Sequence, residues 1–226
     1  MSFLQHIRAA LPCMAMFMAG LIPAGHAIAR TTGYDEEFKT FTGGLAAGLN
    51  LAQVDGDRYF GYNKPGIVVG AFVNMHFTER LGLQAELLYV QKGSHGVAVT
   101  GSPLTGTYTA QCHIGLGYIE APVVFRYTYK EYTAEAGASY AILVRTNEWI
   151  QDPLVYIHED NNRFNTTDIN YVFGLGRHVY KRLHANVRFQ YSVLSIRPAE
   201  RVPYNYGWGT KGQFNNLFSV RLLYTL

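Results

Sequence analysis

The sequence predicts an all-β fold, an eight-stranded antiparallel up-and-down transmembrane β-barrel with short periplasmic turns and long extracellular loops. Three observations predict it. The 226 residues include 17 Tyr, 13 Phe and 23 Gly but only 15% charged residues, a composition that favours strands over helices. Apolar residues recur at every second position in eight segments. The connections between these segments alternate between tight and long, as in outer-membrane barrels.

The N-terminus has the pattern of a secretory signal peptide. Arg8 supplies a positive charge, Ala9–Leu21 forms an apolar stretch, and small residues favour cleavage after Ala27 or Ala29. The apolar stretch is shorter than the roughly 20 residues that a helical bilayer span needs. We therefore expect an exported bacterial protein, divided into a signal peptide (1–29), a short periplasmic segment (30–40) and an outer-membrane barrel (41–226).

Each predicted strand alternates apolar with polar or small residues. The eight strands are Phe41–Leu51, Ile67–Phe77, Leu81–Tyr89, Ile119–Tyr127, Ala134–Val144, Ile169–Val179, Leu183–Val193 and Phe218–Leu226. Their lengths are close to the roughly 9–11 residues of a tilted membrane strand. Because backbone groups in lipid must pair within the protein, the first strand is expected to pair with the eighth.

The connections place the two ends of the barrel. Tight turns are predicted at Thr78–Arg80, Lys130–Tyr132 and Lys181–Arg182, and long loops at residues 55–64, 93–110, 146–167 and 197–213. Six tyrosines near strand ends are expected to form interfacial girdles: Tyr118, Tyr127, Tyr129, Tyr132, Tyr180 and Tyr224. Pro122 cannot donate to a strand ladder, so a β-bulge is predicted there.

The alternation alone also fits a soluble lipocalin-like barrel with an apolar interior. Charged residues favour the membrane barrel, because they fall on the less apolar face, which is also rich in glycine. The predicted lumen charge network comprises Glu86, Glu120, Arg126, Glu135, Arg145, Arg188 and Arg221. An eight-stranded barrel is only wide enough for side chains, so we expect these charges to form a salt-bridged plug. The alternative is a gated ion path or a proton-sensitive cluster.

Four sequence stretches carry a family resemblance: Gly44–Asn50, Lys64-Pro65-Gly66 with Gly70, Gln84–Gly93 and Tyr118–Pro122. As a set they resemble the small outer-membrane β-barrel proteins of Bacteroidota, known as the porin family or PorT-like barrels. The resemblance implies a barrel fold and an outer-membrane location. It implies no activity, because most members of that family have none established.

Candidate catalytic and metal-binding residues are few. His178, His184 and Ser192 fall on one predicted face near Glu135, which would suit a lipid hydrolase, but no Gly-x-Ser-x-Gly motif accompanies them. His158-Glu159-Asp160 are consecutive and poorly placed to converge on a metal. After signal cleavage only Cys112 remains, and adjacent His113 should point to the opposite face. We expect no enzymatic activity, metal or cofactor.

Aromatic residues cluster in two predicted extracellular loops and form a candidate contact surface: Tyr59, Phe60, Tyr62, Tyr204, Tyr206 and Trp208. The leading hypothesis is a structural or surface-interaction role through these loops. The alternatives are a narrow pore or a transport- or secretion-associated barrel, and a lipid-modifying enzyme. Expected partners are outer-membrane lipid and lipopolysaccharide and the outer-membrane assembly machinery. The chain is expected to be a monomer. It is expected to bind no nucleic acid, because its net charge is only +3 and its basic residues are scattered along the sequence.

Overall fold

A computed structural model describes residues 40–57, 59–102, 106–151, 163–202 and 212–226. The predicted signal peptide lies outside these residues. The strands are β1 (Phe41–Asp55), β2 (Lys64–His76), β3 (Leu81–Ser102), β4 (Gly106–Tyr129), β5 (Tyr132–Gln151), β6 (Thr167–Tyr180), β7 (Leu183–Ser192) and β8 (Phe214–Thr225). A 3₁₀ turn spans Ala199–Arg201. None of the helical structure in the described residues is long and apolar enough to cross a bilayer.

The strands close into a barrel. Each pairs antiparallel with the next, and β1 pairs with β8 from Gly44↔Thr225 to Asp55↔Phe214. The predicted strand number and the pairing of first and last strands are confirmed. Closure satisfies the backbone donors and acceptors that an open sheet would leave unpaired in lipid.

The two faces of the barrel wall have opposite chemistry. Outward side chains such as Leu49 and Phe125 are exposed, whereas Glu86 and Arg188 are buried inside. This arrangement excludes the lipocalin-like alternative, in which charges would face outward. Five predicted girdle tyrosines are exposed towards the tight-turn end: Tyr127, Tyr129, Tyr132, Tyr180 and Tyr224. The sixth, Tyr118, is fully buried inside the barrel, so its prediction was wrong.

The hairpin of β3 and β4 extends much further than predicted. The segment expected to be a loop at residues 93–110 is paired strand from Gly93↔Gly115 to Ser102↔Gly106. Above the membrane a strand no longer needs an apolar outward face, so the membrane pattern ends although the strand continues. The predicted loop was therefore mostly an extracellular extension of the sheet.

Pro122 affects the barrel wall without producing the predicted bulge. Pro122 pairs with Ser139 in continuous register, so the predicted bulge there is wrong. The ladder between β3 and β4 is instead interrupted opposite it, between the pairs Ala85↔Val123 and Leu88↔Glu120. Because proline has no N–H to donate, the ladder is interrupted on the side of β3, while the pairing with β5 continues.

A β-bulge lies higher on the wall, between β4 and β5, and a second register shift occurs between His178 and Tyr180 of β6. Tyr118 pairs with Leu143 but Gly117 pairs with Arg145, which leaves Val144 as the extra residue of β5. An extra residue reverses the alternation of all the side chains that follow it. Beyond Val144, positions that the sequence pattern places inside therefore face outward.

Candidate functional site

The interior contains a group of four charged side chains, Glu86, Glu135, Arg188 and Arg221, called here the lower charge cluster. Arg188 donates from Nε to Glu135 Oε1 at 2.7 Å and from its two terminal nitrogens to the Glu86 oxygens at 2.7 and 3.1 Å. Arg221 donates to Glu86 Oε2 at 2.8 Å and to Glu135 Oε1 at 3.3 Å. Two acids and two bases therefore neutralise one another within one buried layer.

Neighbouring polar groups complete this layer. Gln84 donates to Glu86 Oε1, and Arg221 also donates to Asn186 Oδ1 at 2.6 Å. Gly174 leaves space for Glu135, because a Cβ added there would lie 2.4 Å from Glu135 Oε1. Arg126 lies directly opposite Glu135 on β4, but it donates to Asn74 Oδ1 at 3.0 Å rather than to a carboxylate.

A second group, called here the upper charge cluster, consists of Lys92, Glu120 and Asp168. Lys92 Nζ lies 2.9 Å from Glu120 Oε2 and 3.3 Å from Asp168 Oδ2, and the three side chains are 0–2% exposed. Asn215 donates to Asp168 at 2.9 Å, and Lys92 also donates to Asn170 at 3.1 Å. The predicted charge network included Glu120 but not its partner Lys92, although the sequence pattern places Lys92 on the polar face of the third strand.

The extracellular mouth is also filled. Arg197 donates to Glu148 Oε1 at 2.9 Å, and its guanidinium lies 3.7 Å from the centroid of the Phe164 ring. These groups border an apolar cluster: Val54, Cys112, Ile114, Leu116, Tyr118, Ala141, Phe164 and Ile196. A further apolar cluster occupies the inner wall: Ala46, Ala52, Val68, Phe72, Leu88, Val90, Leu217 and Leu223. The inner face is therefore less uniformly polar than the sequence pattern predicts.

Arg145 does not belong to the interior. The bulge at Val144 brings it into register with outward Gly117, and its side chain is exposed. The structure thus brings together Glu86, Glu135, Arg188 and Arg221 and places Glu120 in another cluster. Placing Arg145 in the lumen was wrong, because a regular alternation does not anticipate a bulge.

The predicted catalytic alternative has no suitable geometry. His178 and His184 meet at the periplasmic end, with ring centroids 4.8 Å apart. Ser192 lies eight residues beyond His184 on β7, which is about 26 Å at about 3.3 Å per residue. Its hydroxyl accepts a hydrogen bond from the backbone N–H of Asn215. Glu135 is bound to arginines. Cys112 faces inward and its neighbour His113 faces outward, so these two residues do not form a thiol–imidazole pair.

The described aromatic residues of the first loop have different environments. Phe60 is 75% exposed, Tyr59 packs against the mouth cluster, and Tyr62 donates to Asn216 Oδ1 at 2.8 Å. Tyr204, Tyr206, Trp208 and His158-Glu159-Asp160 lie outside the described residues. Of the three described aromatics, Phe60 is therefore the most exposed.

A buried carboxyl group anchors the same loop. The backbone N–H of Tyr59 donates to Asp57 Oδ1 at 3.0 Å. Burial raises the pKa of Asp57 to about 7. The loop therefore contains a group that titrates near neutral pH.

A closed barrel with an apolar exterior and buried ion pairs inside is the architecture of an integral outer-membrane protein. Residues 30–196 match the family described as outer membrane protein beta-barrel domain. This match covers most of the chain, so the protein belongs to that family and is located in the outer membrane. A comparison with curated protein sequences finds no significant match.

Several solved structures resemble the fold at low sequence identity. Ail, the attachment invasion locus protein of Yersinia pestis, is 10% identical over 82% of this chain and 98% of its own, with a TM-score of 0.43. Neisserial surface protein A is 9% identical over 83% and 97%, with a TM-score of 0.45. The N-terminal barrel domain of Pseudomonas aeruginosa OprF is 14% identical over 80% and 99%, with a TM-score of 0.29.

Proposed function

We propose that this protein is a closed outer-membrane barrel that acts through its extracellular surface, in a structural or surface-interaction role. The observation that carries the proposal is the filling of the interior. Lys92, Arg188 and Arg197, at three heights of the barrel, are each no more than 1% exposed and each bound to carboxylates. A water-filled path would leave such charges solvated, whereas a plugged lumen moves function to the outside.

The extension of the sheet above the membrane supplies the proposed contact surface. Val99 is 76% exposed on the outer side of β3, and the Trp149 ring stacks on His113 further along the same face. Exposed Phe60 adds an aromatic side chain from the first loop. Aromatic and aliphatic groups in this combination support recognition of an extracellular ligand.

The narrower identity is part of the same proposal. Gln84–Gly93 and Tyr118–Pro122 support a PorT-like barrel of Bacteroidota, exported through a cleaved signal peptide. We propose a monomer, because closure leaves no strand edge for pairing with another chain. Assembly machinery and lipopolysaccharide are its proposed partners in the envelope.

Planar-bilayer recordings test the closed lumen. The refolded full chain should give no stepwise conductance, while a porin inserted in parallel shows that the bilayer reports channels. Stepwise openings from the wild type would contradict the proposal and support the pore alternative. The enzyme alternative is tested by mass analysis of lipid A from cells with and without the protein, and we expect identical spectra.

A further inference from the structure

A small cleft opens on the outer wall of the barrel, across β3, β4 and β5. Its volume is about 170 Å³. One row of the sheet, Gln91–Gly117–Arg145, forms its lower part, and the next row includes Gly115 and Asn147. The cleft therefore faces the membrane environment rather than the lumen.

The height of the cleft is defined by the outward residues of β4. They are apolar along the nine residues from Tyr127 to Ile119, which matches the roughly 9–11 residues of a tilted membrane strand. The next outward positions are Gly117, Gly115 and His113, none of them lipid-like. The cleft thus begins where the apolar band ends on the extracellular side, at the level of lipid headgroups.

Local backbone features build the cleft. The bulge at Val144 turns Arg145 outward, a change of direction for which bulges are known. The two glycines form the floor, because a Cβ at Gly117 would lie 2.9 Å from Tyr89 Oη and one at Gly115 would lie 3.3 Å from His113 Nε2. The neighbouring side chains close over space that these glycines leave open.

The lining is cationic. Lys64 and Arg145 contribute its positive charges, His113 adds an imidazole ring, and the described residues that line it include no carboxylate. Across residues 40–57, 59–102, 106–151, 163–202 and 212–226, the side chain of Arg145 forms no hydrogen bond or ion pair. Tyr89 and the amides of Gln91 and Asn147 add hydrogen-bond donors. Arginine and lysine beside neutral donors form the chemistry that binds phosphate.

We propose that this cleft binds the phosphate group of an outer-leaflet glycolipid of the lipid A type. Arg145 and Lys64 pair with the phosphate oxygens, and the acyl chains lie below against the apolar band. The glycine floor lets the headgroup approach the sheet backbone. This proposal requires the outer-membrane location but not a closed lumen. The conductance test and the lipid-binding test can therefore refute the two proposals separately.

Binding to the refolded full chain in detergent micelles tests the site, with diphosphoryl lipid A as the probe. The variant Lys64→Gln/Arg145→Gln should weaken binding at least about tenfold, because charge-assisted hydrogen bonds are lost. Gly117→Ala keeps every charge but fills the floor, and it should also weaken binding. The matched control Arg80→Gln/Lys130→Gln removes the same two charge types from the periplasmic end and should bind as the wild type does.

Two further probes separate the source of the phosphate. Dephosphorylated lipid A should bind the wild type as weakly as diphosphoryl lipid A binds the double variant. Inorganic phosphate should compete only at concentrations far above those of the lipid. Heat-modifiable gel migration verifies that every variant is folded. Unchanged lipid binding by the double variant, or equal displacement by inorganic phosphate and lipid, would overturn the proposal.

Discussion

Breaking the lower charge cluster should destabilise the barrel strongly, because its four side chains are buried. In Arg188→Ala, three hydrogen bonds to Glu86 and Glu135 disappear, and both carboxylates remain buried. Arg221 still contacts both acids, at 2.8 and 3.3 Å, and compensates in part. We therefore expect a loss of about 3–5 kcal/mol in the free energy of unfolding, the scale for a broken buried pair.

A double-mutant cycle isolates the interaction between Arg188 and Glu135. Removing both leaves Glu86 bound to Arg221, so the charge of the cluster is again balanced. The double variant should be less destabilised than the sum of the single variants by roughly 1–3 kcal/mol. Urea unfolding in phospholipid vesicles, followed by the gel shift between folded and unfolded forms, measures all four proteins.

The chain provides a matched control for this cycle. Arg177 and Glu131 form an ion pair at 2.8 Å, close to the 2.7 Å of Arg188 and Glu135, but their side chains are 59% and 58% exposed. The same cycle on this pair should give no measurable coupling, because water screens both charges. Equal coupling in the two cycles, or additive losses for the buried pair, would refute the argument that burial makes the lower cluster strong.

Three other outcomes are expected. Lys92→Ala should destabilise the barrel by about 3–5 kcal/mol in urea unfolding, because Glu120 and Asp168 would keep buried charges without their shared cation. Gly174→Ala should cost about 1–3 kcal/mol in the same assay, because the new Cβ would force Glu135 from its arginines. The pKa of Asp57 is raised by burial from 3.8 to about 7, so its folded form retains a proton that the unfolded chain releases. Its contribution to stability should be complete below about pH 4 and lost as pH rises to about 7, and Asp57→Asn should remove this part of the pH profile.

Each of these outcomes has its own control. Gly176→Ala on the same strand should cost less than Gly174→Ala, since its nearest contact is at 3.2 Å and no member of the charge cluster is displaced. Lys92→Met removes the same cation as Lys92→Ala but fills most of its volume, so stability close to that of the wild type would contradict the charge argument and attribute the loss in Lys92→Ala to packing. A pH profile of unfolding that is identical for wild type and Asp57→Asn would contradict the assignment of that titration to Asp57.

The alternation of apolar and polar residues predicted those features of the barrel that contact with lipid imposes. The membrane-embedded parts of all eight strands, the pairing of β1 with β8 and the inward phase of Glu86, Glu135, Arg188 and Arg221 follow from it. In these segments the solvent imposes the pattern, because each outward side chain meets hydrocarbon and the backbone must close on itself. The pattern therefore predicts both the barrel fold and whether each side chain points into the lumen or towards lipid.

The same alternation fails where lipid no longer constrains the chain. Lys92 belongs to the polar phase of β3, but its burial depends on acids from β4 and β6 that only the closed barrel brings near. Tyr118 is a tyrosine near a predicted strand end, as a girdle residue would be. Its side chain instead fills the mouth of the barrel, where Asn215 donates to its hydroxyl at 3.3 Å. Neither environment can be predicted from one strand, because each is formed by several.

The bulge at Val144 joins the interior to the exterior of the barrel. If the register of Tyr118↔Leu143 continued without it, Arg145 would stand opposite Leu116, within the apolar mouth cluster. An arginine there would enter a cluster of mainly apolar side chains, where burial of its charge is costly. The extra residue removes this cost and places the same guanidinium outside, at the height where the apolar band ends. The bulge at Val144 therefore keeps Arg145 out of the packed lumen. It also places the Arg145 guanidinium on the outer wall, at the level of the lipid headgroups.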